Sequence, residues 1–173
     1  VLHHARGDAT LRAMREGADV IYQGALTSNL PVPHSLLPPS LVPGNWHGYS
    51  DFLYKVSEPS NLGAWSYEVA DTKLARSAKP KHVVQLCIYS DLLALAQGTL
   101  PKHAHLILGD SSTYTVKLQD YIYYVRAVQE GFVKFCSDPE RMTEAEPCSH
   151  CGLCDWSDRC DEEWERTGHL SLV

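Results

Sequence analysis

The chain of 173 residues is long enough for one domain with a buried core, and its apolar share of 44% and charged share of 21% are ordinary for a soluble fold. A formal net charge of −6 argues against a generally basic nucleic-acid binder but leaves room for a local basic patch. No apolar run approaches the length of a membrane span and no signal peptide is visible, so we expect a cytoplasmic protein without a membrane partner.

The first part of the chain predicts one helix and one strand, followed by a proline-rich stretch. "DATLRAMREG" over residues 8–17 predicts a short helix, with Asp8 as its N-cap and Gly17 as its stop. "DVIYQGAL" over 19–26 predicts a strand. Residues 27–47 hold five prolines without a regular period, so we expect a loop or an insertion that packs on the domain.

The middle of the chain predicts a β-hairpin and then a long helix. "GYSDFLYKV" over 48–56 and "AWSYEVADTK" over 64–73 alternate as strands do and are joined by a turn. Residues 81–97, "KHVVQLCIYSDLLALAQ", have the strongest helical pattern in the chain. Pro80 suits the first turn of this helix, and Gly98 suits its end.

Two strands and a helix complete the predicted core, at 103–110, 113–118 and 119–136. This order of elements predicts an α/β fold in which helices flank a central mixed sheet. We therefore divide the chain into a core at 1–140 and a cysteine-containing C-terminal segment at 141–173. Because the chain begins without Met and ends in "HLSLV", we expect it to be a piece of a longer protein.

An acid, a threonine and a lysine end the second hairpin strand as Asp71-Thr72-Lys73. Side chains two residues apart in a strand share a face, so Asp71 and Lys73 point the same way, and a suitable register brings Asp51 beside them. Two carboxylates suit Mg²⁺ or Mn²⁺, with the Thr72 carbonyl as a third ligand. The lysine then orients a bound water or neutralises charge on a phosphate. The alternative is a surface ion pair without chemistry.

The long helix adds polar groups at the edge of the acidic residues. Gln85 and Tyr89 lie four residues apart and share a helix face, whereas the opposite side is apolar. That apolar side, which we expect to be core, holds Val84, Cys87, Ile88, Leu92 and Leu95. The alternative for Gln85 and Tyr89 is ordinary half-buried helix polarity. A short cationic strip follows Lys73 and is well placed for phosphates; it consists of Arg76, Lys79 and Lys81.

These residues together carry a resemblance to a known superfamily. Asp51 in "GYSDFL", then Asp71-Thr72-Lys73, then "QLCIY" (85–89) resembles the PD-(D/E)XK nucleases, and more narrowly the RecB-like branch with its Gln-x-x-x-Tyr helix. "YEVADTKLAR", "GADVIYQGAL", "LILGD" and "HLSLV" are similar to a bacterial group of RecB-like nucleases. The resemblance covers most of the chain except the proline-rich stretch.

The resemblance implies a restriction-endonuclease-like core that hydrolyses DNA phosphodiester bonds with Mg²⁺ or Mn²⁺. Asp51 and Asp71 would be metal ligands and Lys73 the catalytic lysine, while Gln85 and Tyr89 would help place the DNA and the active-site groups. In the full-length protein, a helicase or a second nuclease domain is the expected companion. RecB-like enzymes usually add a His or Glu from an N-terminal helix to the metal site. The nearby candidates in this chain are His3 and His4.

Four cysteines of the C-terminal segment follow the spacing C-x₂-C-x₂-C-x₅-C, which indicates a metal site in a reducing compartment; they are Cys148, Cys151, Cys154 and Cys160. An iron–sulfur cluster and zinc are both candidates. The resemblance implies a structural 4Fe–4S cluster, in which Cys151, Cys154 and Cys160 match the three cysteines that follow the nuclease core. Cys148 is the available fourth ligand, although an upstream cysteine could displace it.

Two further functions remain open alongside the nuclease. A catalytically incomplete module of the same fold would bind nucleic acid without cutting it, because the upstream metal ligand is missing. A zinc-ribbon-like interaction domain, in which the acidic residues are incidental, is the third.

Overall fold

A computed structural model describes residues 2–28 and 45–170, with side chains from residue 7 onwards. Most of the predicted insertion at 27–47 and the side chains of His3 and His4 therefore lie outside the described residues. The chain forms two compact units, Val1–Ser137 and Asp138–Val173. The sequence predicted the division after residue 140.

The first unit is built on a five-stranded mixed sheet in the order β1-β2-β3-β4-β5. The β1–β2, β2–β3 and β4–β5 pairs are antiparallel, and the β3–β4 pair is parallel. The predicted hairpin and the α/β class are therefore confirmed. The strands are β1 Val20–Thr27, β2 His47–Val56, β3 Ser66–Lys73, β4 His103–Leu108 and β5 Thr113–Lys117.

The described residues of this unit form three α-helices: α1 Leu2–Glu16, α2 Pro80–Gln97 and α3 Ile122–Cys136. The prediction of Asp8 as an N-cap is wrong, because α1 already begins six residues earlier. Gly17 ends α1 at φ 74°, a conformation that glycine adopts without strain. The last helix begins later than predicted, because Leu118–Asp120 form a 3₁₀ turn first. Among the described residues, none of the helices has the length and apolar character needed to cross a bilayer.

Helix α2 connects the parallel strands β3 and β4 and packs on one side of the sheet, which we call the helix face. Pro80 opens α2 and Gly98 closes it at φ 75°, as the sequence predicts. The core of this face is apolar and includes Leu53, Val69, Leu86, Leu93 and Leu106. Val84 and Ile88, predicted as core, are only partly buried.

Two polar contacts fix α2 in place. The Gln97 side chain is fully buried, where it accepts a hydrogen bond from Tyr67 N and donates one to Tyr67 O. Further up the helix, Asp91 accepts two hydrogen bonds from the Arg126 guanidinium of α3. Both contacts satisfy buried polar groups that would otherwise cost free energy.

The second unit contains one short helix, α4 Ser157–Thr167, and a 3₁₀ turn, Cys151–Leu153. Trp164 is the sole buried apolar side chain among the described residues of this unit. Its Nε1 donates a hydrogen bond of 2.8 Å to Ala145 O. So few buried side chains cannot hold a unit of this size together by hydrophobic burial alone.

Candidate active site

Strand pairing brings the two predicted carboxylates together. The β2–β3 register pairs Phe52 with Ala70, and the next position along the hairpin sets Asp51 opposite Asp71. The two carboxyl groups lie close enough for each to shift the pKa of the other. The acidic pair, Asp51 and Asp71, therefore lies near the end of β3, where the strand finishes at Lys73.

A local distortion of β1 lies beside Asp51. The register passes from Tyr22↔Phe52 to Gly24↔Ser50, so Gln23 faces Asp51 across the ladder. Gln23 has φ 51°, in the left-handed region that a residue with a side chain rarely adopts. Its Nε2 donates a hydrogen bond of 3.1 Å to Asp51 Oδ1. Strained backbone of this kind collects at functional sites, which draws attention to this position.

Asp51 is held as a carboxylate by donors from the next strand. Its Oδ2 accepts hydrogen bonds from Thr72 N at 2.8 Å and from Thr72 Oγ1 at 2.5 Å. Burial opposes ionisation of Asp51, but the Thr72 hydrogen bonds outweigh it, and the pKa lies below its ordinary value of 3.8. Thr72 thus fixes Asp51 through its amide and hydroxyl groups, and the predicted ligand role of its carbonyl stays a prediction.

Asp71 is the more constrained member of the pair, with only 3% of its surface exposed. Burial raises its pKa above 3.8, the Lys73 ammonium works against that, and Asp51 adds to the rise. Lys73 forms an ion pair with Asp71 Oδ2. Apart from this ion pair, that buried oxygen accepts no hydrogen bond from the described residues. A buried oxygen with spare acceptor capacity is suited to a cation.

The first turn of α2 adds a histidine that the sequence analysis missed. His82 is buried, and its Nδ1 accepts a hydrogen bond of 3.3 Å from Lys79 N, which closes the start of the helix. Burial, followed by the charges of Lys73, Lys81 and Lys79, lowers the pKa of His82, while Asp71 acts in the opposite direction. His82 therefore lies among the cationic strip and the acidic pair. The available signal was the spacing from the N-cap, because His82 lies three residues after Lys79, where a side chain can bond back to the N-cap backbone.

The other predicted site residues make no hydrogen bond to the acidic pair among the described residues. Gln85 Nε2 donates a hydrogen bond of 3.0 Å to Tyr89 Oη, which confirms their shared helix face. The Tyr89 ring packs so closely on Gly48 that a Cβ at that position would collide with Cε1 of the ring. Within the part of the chain that the structure describes, neither side chain hydrogen-bonds to Asp51, Asp71 or Lys73. The cationic strip of Arg76, Lys79 and Lys81 is exposed to solvent.

The donor set of the acidic pair fits a hard divalent cation. The described residues hold no group of three or more His, Cys, Asp or Glu side chains already arranged around one position. Mg²⁺ needs no such cage, because it retains several waters and is often bound by one or two carboxylates together with substrate phosphate oxygens. Asp51, kept ionised, and Asp71, with its spare buried oxygen, meet that requirement.

The cysteines of the second unit are all free thiols in the structure. Cys148 N donates a hydrogen bond of 3.2 Å to Cys151 Sγ, and the two Sγ atoms lie 3.9 Å apart. Cys154 N donates to Cys151 O at 3.1 Å, and Cys160 N donates to Trp156 O at 3.1 Å. The first two thiols therefore already face each other, as two ligands of one metal group would.

Comparison with protein-family models gives no matching family, and comparison with curated proteins gives no match either.

Proposed function

We propose that the chain is a nuclease domain that hydrolyses DNA phosphodiester bonds with Mg²⁺ or Mn²⁺. The observation that carries the proposal is the juxtaposition of Asp51 and Asp71 across the β2–β3 ladder, beside Lys73, with their pKa values displaced in opposite directions. Pairs of titratable groups pushed apart in this way are typical of catalytic sites. The order of motifs that resembles RecB-like nucleases supports the same activity.

Each residue of the site has a role in this proposal. Asp51 and Asp71 would hold the cation, and Thr72 and Gln23 keep the Asp51 carboxylate oriented by hydrogen bonds. When bound, the cation would polarise the phosphodiester and lower the pKa of a water molecule. Lys73 brings a fixed positive charge to the place where negative charge develops on phosphate oxygens, and such preorganised charge is a large contribution to catalysis.

The start of α2 supports binding of a polyanion. Arg76, Lys79 and Lys81 are exposed, and none of them is in an ion pair with another described residue. Unpaired cations following Lys73 offer contacts for backbone phosphates in a chain whose net charge is −6. Gln85 and Tyr89, joined by their hydrogen bond, would position DNA near the site rather than react with it.

We further propose that the four cysteines of the second unit bind a structural metal group. The described residues of this unit bury one apolar side chain, so a metal group would supply the support that a small unit needs to fold stably. The resemblance favours a 4Fe–4S cluster. The Sγ separation of 3.9 Å favours zinc for the first two thiols, because two thiolates bonded to one tetrahedral ion at about 2.3 Å lie about 3.8 Å apart.

A cleavage assay tests the proposed activity. Purified protein is incubated with single- and double-stranded DNA, with and without Mn²⁺ or Mg²⁺. We expect metal-dependent cutting that falls by at least about a hundredfold in Lys73→Ala, because a preorganised positive charge is lost. Asp71→Asn should abolish cutting and lower Mn²⁺ affinity measured by calorimetry.

The matched controls are Lys134→Ala and Glu130→Gln, two exposed positions of α3 that should keep full activity. Metal-dependent cutting that survives both Lys73→Ala and Asp71→Asn would remove the site assignment. Binding of DNA without any cutting by the wild-type chain would instead support the catalytically incomplete module.

A further inference from the structure

A row of aromatic rings crosses the face of the sheet opposite the helix face. The Tyr22 and Phe52 ring centroids are 5.6 Å apart. Phe52 and Tyr54 are stacked at 5.9 Å with an angle of 9° between their planes, and Tyr54 lies 6.5 Å from His105. This aromatic row, Tyr22, Phe52, Tyr54 and His105, therefore spans strands β1, β2 and β4.

The aromatic row is not part of the hydrophobic core. The buried apolar cluster is formed by residues of the helix face such as Leu53 and Val69, which are strand neighbours pointing the other way. Tyr22 is 71% exposed, and Phe52, Tyr54 and His105 are partly exposed. Cross-strand aromatic pairs stabilise sheets. A row that continues over three strands while facing solvent offers more contact area than such pairing requires.

The charges on this face are suited to a polyanion. Glu68 is the one carboxylate among the described strand residues of the face, and it is buried. Its oxygens accept hydrogen bonds from His103 N at 3.1 Å and from His105 Nε2 at 2.9 Å. The remaining charged strand residue of the face is the exposed Lys117, which pairs with His103 across the ladder. The exposed charge is thus cationic in a chain of net charge −6.

The aromatic row and the candidate active site share strand β2 but lie on opposite faces of the sheet. Tyr22 precedes Gln23, whose side chain binds Asp51, and Phe52 follows Asp51 in β2. The two rings nearest the acidic pair are also the first pair of the row. Because successive side chains of a strand point to opposite faces, a strand of nucleic acid bound at the acidic pair would reach these rings by passing around the edge strand β1.

We infer that the aromatic row binds single-stranded nucleic acid by stacking its rings against unpaired bases. This inference rests on the proposed nuclease function and names the form of its substrate. Flat rings, neighbouring hydroxyl groups and cationic side chains are the usual composition of such platforms, and stacking of this kind tolerates any sequence. A duplex is not accommodated in the same way, because its bases are already stacked and paired.

Fluorescence anisotropy tests the inference with the full chain in the absence of added Mg²⁺ or Mn²⁺. The probes are a fluorescein-labelled 20-nucleotide single strand and the duplex of the same sequence. We expect the single strand to bind more tightly, and Tyr22→Ala to weaken its binding about tenfold, the loss expected from one stacked base. Tyr22→Phe should retain binding because it keeps the ring.

The matched control is Tyr123→Ala, which removes a tyrosine that is 77% exposed on α3 and should leave binding unchanged. Thermal unfolding checks that Tyr22→Ala is folded, and Tyr54→Ala provides a second variant within the row. Equal affinity for the duplex, or unchanged single-strand binding in both row variants, would overturn the inference. A dimer seen in sedimentation that Tyr22→Ala dissociates, without single-strand binding by the wild type, would assign the row to self-association instead.

The same experiment separates this inference from the proposed function. Single-strand binding that depends on Tyr22 but is never followed by metal-dependent cutting would refute the nuclease and leave the stacking platform standing. Cutting that continues with unchanged single-strand affinity in Tyr22→Ala would refute only the platform.

Discussion

Asp71 combines two requirements that oppose each other. A metal ligand must be ionised, yet burial and the neighbouring Asp51 carboxylate favour the neutral form of Asp71. The Lys73 ammonium offsets part of the free-energy cost of ionising Asp71. It does not offset all of it, because the pKa of Asp71 remains raised. In the absence of a cation, the ionised carboxylate therefore destabilises the folded state at neutral pH.

The variant Asp71→Asn should consequently unfold at a higher temperature than the wild type in metal-free buffer. The amide has the shape of the carboxyl group but carries no charge to bury. Added Mn²⁺ should raise the unfolding temperature of the wild type, because it binds only the folded state, and should leave the variant unchanged. Scanning calorimetry with and without Mn²⁺ measures both effects. A variant that melts lower than the wild type without metal would contradict this account.

Glu68 has the opposite electrostatic balance, and its effect on stability depends on pH. Burial raises its pKa, but hydrogen bonds from His105 and from His103 N outweigh burial and hold the pKa below 4.5. The carboxylate's contribution is therefore complete above pH 4.5 and is lost as pH falls through the lower pKa of the folded state. We expect Glu68→Gln to be less stable at neutral pH and to lose less stability on acidification.

Urea unfolding at a series of pH values measures this difference. Glu140→Gln, an exposed position, serves as the control and should follow the wild-type curve. An unchanged acid dependence in Glu68→Gln would show that the two histidines do not act through Glu68.

At the residue scale, the sequence identified the groups whose placement follows from simple strand geometry. Asp51, Asp71 and Lys73 meet because strand alternation and hairpin register are regular and readable. Gln23 was missed because its approach to Asp51 depends on φ 51°, which no local pattern announces. His82 was missed because its burial comes from tertiary packing, which no local sequence pattern indicates.

At the element scale, a buried ion pair joins α2 to α3. Asp91 and Arg126 are both largely inaccessible to solvent, and the guanidinium binds both carboxylate oxygens. Arg126→Met should lower the free energy of unfolding by about 3 kcal/mol, because it leaves Asp91 buried without a partner. The exposed pair of Lys102 and Glu58 provides a matched control, and Lys102→Met should cost less than about 1 kcal/mol.

Urea unfolding of both variants measures the two costs, and a double variant with Asp91→Asn should recover most of the loss in Arg126→Met. Equal costs for the buried and the exposed pair would contradict the assigned role of the Arg126 contact.

The sequence predicted the type of every described strand and long helix of the first unit, and its errors lie at the ends. The start of α1 was missed because no capping residue marks it, and Asp8, a good N-cap type, lies inside the helix. The start of α3 was placed early because Leu118–Asp120 continue the helical pattern as a 3₁₀ turn. Pro80 and Gly98 marked the ends of α2 correctly, because the effect of proline and glycine on helix ends comes from their own backbone conformation and not from tertiary packing.

At the scale of the whole molecule, the described parts of the two units differ in how much apolar surface they bury. The first buries a continuous cluster of aliphatic side chains, whereas the described part of the second buries Trp164 as its one apolar residue. Sequence spacing predicted that the four cysteines of the second unit bind a metal group, but it could not distinguish a cluster from zinc. That choice depends on which thiols share one metal atom, a three-dimensional property.

Counting reactive thiols in the native chain tests the metal group directly. Of the six cysteines, Cys87 is buried, and burial raises the pKa of its thiol to about 11, so it should not react at mildly alkaline pH. Cys136 is exposed and should react at once. The four metal-bound thiols should be protected, which gives one reactive thiol in the native protein, five after the metal is removed, and all six in denaturant.

Two cysteine variants test the assignment of the reactive thiols, because each variant removes one defined thiol. Cys136→Ser should leave no rapidly reacting thiol, whereas Cys160→Ser should release the metal and give four: Cys136, Cys148, Cys151 and Cys154. Visible absorbance of anaerobically purified protein then separates the two metal groups, since an iron–sulfur cluster is coloured and zinc is not. Five fast-reacting thiols in freshly purified wild type, with no bound iron or zinc, would refute the proposed metal group.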